Sequence, residues 1–135
     1  MNQKLLSLAL PLFVCSKLLA QNATITIKNK SNRFMYVKLM QGPERKAVLY
    51  KTDSIAPKST SVIDVTQTGM YFMKTRAILF DEKDPEKNDT IYSKDKPMQL
   101  ISDNRRGHSN ITIEFKVKEA KNPGAIAITR KEYDN

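Results

Sequence analysis

The chain has one cysteine, one histidine and, after its first twenty residues, no long apolar run. Each scarcity removes a class of protein. A helix that crosses a bilayer needs about 20 predominantly apolar residues, and no segment beyond residue 20 supplies them, so no transmembrane segment is expected in the mature chain. Cys15 lies inside the apolar N-terminal stretch. Once that stretch is removed, the remainder has neither a thiol nor a disulfide and must be held by its core alone. A Cys–His pair is then impossible, and a Ser-His-Asp arrangement would have to use His108. One histidine is too few for the usual zinc sites. No G-x-S-x-G nucleophile elbow is present. Internal repeats, low-complexity tracts and convincing amphipathic helices are lacking as well.

What the first twenty residues do contain is a processing signal. Lys4 gives a short basic start, residues 5–15 are apolar apart from Ser7 and Pro11, and a short stretch leads to Ala20 before Gln21. This is the order of a cleavable signal peptide, with cleavage expected after Ala20. A bacterial lipoprotein would instead keep Cys15, but its signal wants small residues immediately before the cysteine. Leu12, Phe13 and Val14 do not provide them. The expected product is a secreted or periplasmic protein: residues 1–20 are signal, 21–119 one β-domain, and 120–135 a C-terminal tail with room for one terminal strand. A chain of this size buries about two thirds of its unfolded surface, enough for a single core. The formal charge falls from +9 to +7 when Lys4 and Lys17 leave. A basic balance suits nucleic acid, anionic glycan or anionic lipid. Export makes nucleic acid the poorest fit, and the lysines are dispersed rather than blocked.

Alternation of apolar and polar residues dominates the rest. Ile25 and Ile27 share one face, and Asn29, Lys30, Ser31 and Asn32 form a turn cluster. In the next strand Met35, Val37 and Leu39 face inward. Residues 47–52 make a weaker strand. Pro57 has no N–H to donate and breaks the ladder, after which Ile63 and Val65 point inward. Thr68 and Gly69 read as a turn, followed by the longest run, residues 70–80, with Tyr71, Met73, Ala77 and Leu79 as the inner face. Short strands are expected at 90–93 and 98–101, and residues 102–109 read as a polar loop. Ile111, Ile113, Phe115 and Val117 then alternate best of all. About seven or eight strands separated by turn signals predict an all-β, antiparallel sandwich.

Two segments carry a resemblance. The run Ile25-Thr26-Ile27-Lys28-Asn29-Lys30-Ser31 before an aliphatic strand, and Ile55-Ala56-Pro57-Lys58-Ser59-Thr60-Ser61 before Val62-Ile63-Asp64-Val65, are similar to the corresponding parts of bacterial immunoglobulin-like domains, including PapD-like accessory and adhesion modules. The resemblance covers roughly the first half of the mature domain. It implies an immunoglobulin-like sandwich and carries no functional residue, because fold does not imply function.

Candidate sites are few. Arg105, Arg106 and His108 form a basic loop around Gly107, and arginine forks suit carboxylate, sulfate or phosphate. The acidic loop 81–89 is rich in oxygen ligands, but lysines interrupt them and no glycine permits a calcium turn. Sequons at Asn22, Asn29, Asn88 and Asn110 matter only in a eukaryotic secretory path. Asp53-Ser54-Ile55 and Asp89-Thr90-Ile91 resemble an Asp-Ser/Thr-aliphatic O-glycosylation signal of exported Gram-negative proteins, which makes Ser54 and Thr90 the acceptor candidates. Phe34, Tyr36 and Met40, with Phe72, Ile78 and Phe80, share the parity opposite to the inner face. Either they form a surface for a partner, or loops or the tail after Pro123 cover them, or a bulge near Thr75 flips the register. The expectation is an exported, non-catalytic binding or structural module of the bacterial envelope, without a cofactor or a metal, that contacts another protein. A glycan-binding module is the second reading and a small hydrolase the third.

Overall fold

The structure, a computed structural model, describes residues 22–116 and 125–135. The expected signal peptide and Val117 lie outside the described residues. The chain is all-β, and the described residues form two main sheets that share one core and a separate two-stranded hairpin. Eleven strands are described. Seven have six residues or more: β1 (Ala23–Asn29), β2 (Phe34–Gln41), β3 (Val48–Ile55), β4 (Thr60–Val65), β5 (Gly69–Leu79), β6 (Asp89–Asp95) and β10 (Asn110–Phe115). The short ones are β7 (Met98–Leu100), β8 (Ser102–Asp103), β9 (Gly107–His108) and β11 (Ala125–Ala127), and a five-residue helix α1 (Arg130–Asp134) follows.

The smaller sheet has the order β10-β1-β4 and the larger one β11-β6-β5-β2-β3, with β7 pairing the start of β5. All ladders are antiparallel except β1 with β10, which run parallel from Thr24 opposite Asn110 to Asn29 opposite Phe115. Successive strand residues point to opposite faces, so the alternation of β1 puts Ala23, Ile25 and Ile27 in full burial. They meet Met35, Val37 and Leu39 of β2, Tyr71, Met73 and Ala77 of β5, Leu100 of β7 and Phe115 of β10 in one cluster. Leu79 has the right parity, but it ends its strand and is 45% exposed.

The turn after β1 is organised by one buried amide. Asn29 Nδ2 donates to the carbonyls of Arg33 (2.6 Å), Ile55 (3.3 Å) and Ala56 (3.1 Å). Its Oδ1 accepts from the Ser31 N–H (3.0 Å) and hydroxyl (2.6 Å). A buried amide with every group engaged fixes the geometry of two loops at once. Arg33 then reaches across to Asp89 at the start of β6. Thr68 lies just before β5, whose ladder already begins at Gly69 opposite Leu100. The stretch expected to be a polar loop contains the β8–β9 hairpin, too short to show alternation.

The last described segment is built into the larger sheet. Ala125, Ile126 and Ala127 pair with Asp95, Lys94 and Ser93. Thr129 caps α1 by accepting from the Glu132 N–H at 3.1 Å, as N-cap hydroxyls do. The helix lies on the outer face of the sheet, with Tyr133 95% buried.

Candidate functional site

The register of the larger sheet arranges its outer face in rows. Tyr36 stands opposite Ser54 on one side and Arg76 on the other, and Arg76 stands opposite Tyr92. Two residues along, Lys38 stands opposite Thr52 and Lys74, and Lys74 opposite Lys94. Phe34 with Ile78, and Met40 with Phe72, make the rows at either end. Three lysines directly across adjacent strands would repel one another. The chain answers with α1. Lys74 Nζ donates to the Glu132 carbonyl (2.8 Å) and Lys38 Nζ to that of Tyr133 (3.0 Å). These are carbonyls that a helix end leaves without an internal partner. Lys94 pairs with the carboxylates of Glu132 (2.8 Å) and Glu44 (3.3 Å). Burial, and after it the adjacent Lys38 ammonium, pull Lys74 below the ordinary lysine value.

Tyr133 packs its ring 5.7 Å from that of Tyr92, and its hydroxyl donates to the Tyr36 carbonyl at 3.3 Å. Lys38 Nζ lies 4.4 Å from the centre of the same ring. The Arg76 guanidinium is held between Tyr36 (4.7 Å) and Tyr133 (5.7 Å). Beside α1 this leaves a groove of about 420 Å³ lined by Tyr36, Lys38, Thr52, Ser54, Arg76 and Tyr133, with Asp53 at its wall.

The sequence candidates occupy different places. Tyr36 is half-buried in the groove, and Ser54 is exposed at its rim. Phe34 is 42% exposed and meets Phe80, 46% exposed, edge to face at 5.5 Å. Phe72 and Met40, which shared their parity, are instead buried at 2% and 6% exposure. They lie at a cavity also lined by Thr129, Lys131 and Glu132 of the C-terminal segment. Thr90, near the start of β6, is half-buried opposite Ile78.

Arg105 and Arg106 are exposed at the tip of the β8–β9 hairpin, where Gly107 adopts a left-handed φ of +105°. Asp103 accepts from the Arg105 N–H (2.8 Å) and from Arg106 Nε (3.0 Å), and both contacts hold its carboxyl below the usual carboxylate range. The basic loop is thus partly neutralised from within. His108 stands opposite Ser102, half-buried, with Nδ1 buried and without a hydrogen-bond partner among the described residues. Among the described residues no three His, Cys, Asp or Glu side chains gather as a metal site, and no helix is long and apolar enough to cross a membrane.

Asp95 was not singled out by the sequence. It points into the crevice between the sheets, beside Met35, Met73, Ile113 and Phe115, with one carboxylate oxygen buried and unpartnered among the described residues. Burial pushes its carboxyl up to about 6. Arg76, Lys38 and Tyr133 were also missed as a group, although Arg76 and Lys38 share the parity of Tyr36.

The chain matches no family model, and no curated protein or solved structure is significantly similar to it.

Proposed function

We propose that this chain is an exported, non-catalytic binding module of the bacterial cell envelope that contacts another protein. The observation that carries the reading is the aromatic pair Phe34 and Phe80 at one end of the larger sheet, stacked edge to face with each ring more than two fifths exposed. Grouped exposed apolar side chains mark contact surfaces, and aromatics dominate the energetics of such surfaces. The immunoglobulin-like pattern of the first half of the domain and the N-terminal signal support an envelope setting.

The test compares wild type with a Phe34→Ser/Phe80→Ser double variant, each used to capture partners from an envelope extract under matched conditions. A stoichiometric protein partner is expected with wild type. Its recovery should fall by about an order of magnitude or more in the variant, as removal of central aromatic anchors does. Thermal melts of the two proteins should stay close, because both rings are largely outside the core. Equal recovery by the two proteins would overturn this surface as the contact site.

A further inference from the structure

We propose a second binding site, separate from the Phe34 and Phe80 surface: the groove between β2, β3 and α1 receives a saccharide that carries a carboxylate. Three observations converge there. First, among the described residues neither Arg76 nor Lys38 has a carboxylate partner, and Arg76 Nε is buried without any hydrogen bond. Nearby Lys94, by contrast, has two carboxylates. A guanidinium held between two rings keeps its fork in one plane, which is the geometry that binds a carboxylate through two parallel N–H···O bonds.

Second, the groove combines that charge with sugar-like complementarity. The half-buried ring of Tyr36 offers an apolar face with negative quadrupole potential, to which the polarised C–H groups of a pyranose face are attracted, while Tyr133, 95% buried, walls the groove. Thr52 and Ser54 project hydroxyls from β3 on the same side, as their pairing with Lys38 and Tyr36 requires. Third, the volume of about 420 Å³ lies in the range of small-ligand sites. An acidic peptide is a poorer occupant. Here β2 is paired on both sides, with β3 and β5, so strand addition, the mode by which sheets capture extended peptides, is open only along the outer edge of β3 and not across the face where Tyr36 and Arg76 stand.

The experiment titrates the folded protein with trigalacturonate, with its fully methyl-esterified form, with sialyllactose and with a tri-glutamate peptide, following backbone and tyrosine resonances. Saturable binding of at least one of the two acidic sugars is expected, with shifts at Tyr36, Arg76 and Tyr133. Esterified trigalacturonate should bind at least about tenfold more weakly than the free acid wherever the free acid binds, and Arg76→Gln should weaken the acidic sugar by about ten- to a hundredfold, the size of a lost charged hydrogen bond. The comparison of acid with ester needs no variant, so it stands even if Arg76→Gln loosens the fold. No saturable binding of either acidic sugar overturns the proposal. So does an ester that binds as well as the acid, or a shift pattern confined to other surfaces. Tri-glutamate binding as tightly as the sugars would assign the groove to acidic protein segments instead. None of these outcomes depends on the protein partner recovered through Phe34 and Phe80.

Discussion

The two sheets present opposite outer faces. That of the smaller sheet is built of Thr24, Thr26, Lys28, Thr60, Val62, Asp64, Thr112 and Glu114, all half-exposed or exposed. That of the larger sheet carries Tyr36, Met40, Phe72, Lys74, Arg76 and Tyr92, and a C-terminal helix lies over part of it. A sheet with one wet face needs only alternation. A sheet covered on both faces reads as a near-continuous apolar run, interrupted here by cations that the covering helix must satisfy. The larger sheet is therefore the place where a second layer, and with it a groove, can form.

The largest effects test whether the outer layer of the larger sheet is a packed core in its own right. Phe115→Ala in the shared core should cost about 3–5 kcal/mol, as buried aromatic truncations do, since Phe115 is only 5% exposed. Phe72→Ala, on the outer face at 2% exposure, should cost about as much. Thr112→Ala, exposed on the smaller sheet, should cost well under about 1 kcal/mol. Urea melts of the three variants decide the matter. A Phe72 variant as stable as the Thr112 variant would mean that the layer over the larger sheet contributes little.

The intermediate effect carries the opposite sign and concerns the crevice between the sheets. Asp95 titrates at about 6 in the folded chain against an ordinary 3.8. Between roughly pH 4 and 6 the folded state holds this proton more tightly than the unfolded state does, so the contribution of Asp95 to stability is greatest below about pH 4 and falls as pH rises through about 6. At neutral pH the ionised carboxylate is a net cost. Asp95→Asn should then stabilise the protein at pH 7 by about 1–3 kcal/mol, the size that so raised a carboxyl pKa implies, and should flatten the slope of stability between pH 4 and 6. A variant that is less stable than wild type at pH 7 would show that the carboxylate is engaged in a way its burial does not reveal.

How far the sequence could be read follows the same division. The alternation in β1 and β4 identified Ile25, Ile27, Ile63 and Val65 as core because one face of each strand is wet. The Asn29 turn was legible because its hydrogen bonds are largely local. The parallel pairing of β1 with β10 was not, since parity says which way a side chain points and nothing about which strand lies beside it. For Phe34 and Tyr36 the excess of apolar residues on the outer parity could not separate Phe34, exposed, from Phe72, buried beneath a segment some sixty residues further along. The tail was named as a possible cover, but its helix escaped notice because α1 has five residues and a single buried anchor, Tyr133, too little for a helical period to register. The groove was invisible for the same reason: it needs Tyr36, Arg76 and Tyr133 from three distant stretches.

The smallest expected effect asks what holds the covering helix down. Lys94 bridges Glu132 of α1 and Glu44, and these carboxylates keep its ammonium above the ordinary lysine value. Both carboxylates are more than two fifths exposed, so solvent screens the pair, and exposed ion pairs contribute about 0.2–1 kcal/mol. Tyr133, 95% buried against Tyr36, Tyr92 and Arg76, supplies apolar area that salt does not weaken. Glu132→Gln should therefore lower stability by less than about 1 kcal/mol. The difference from wild type should shrink toward zero near 1 M salt, where the screening length is about 3 Å. Urea melts at low and high salt measure both quantities. A loss well above about 1 kcal/mol that persists in high salt would mean that α1 is fastened by its charges rather than by its tyrosine, and the larger sheet would then owe its second layer to electrostatics.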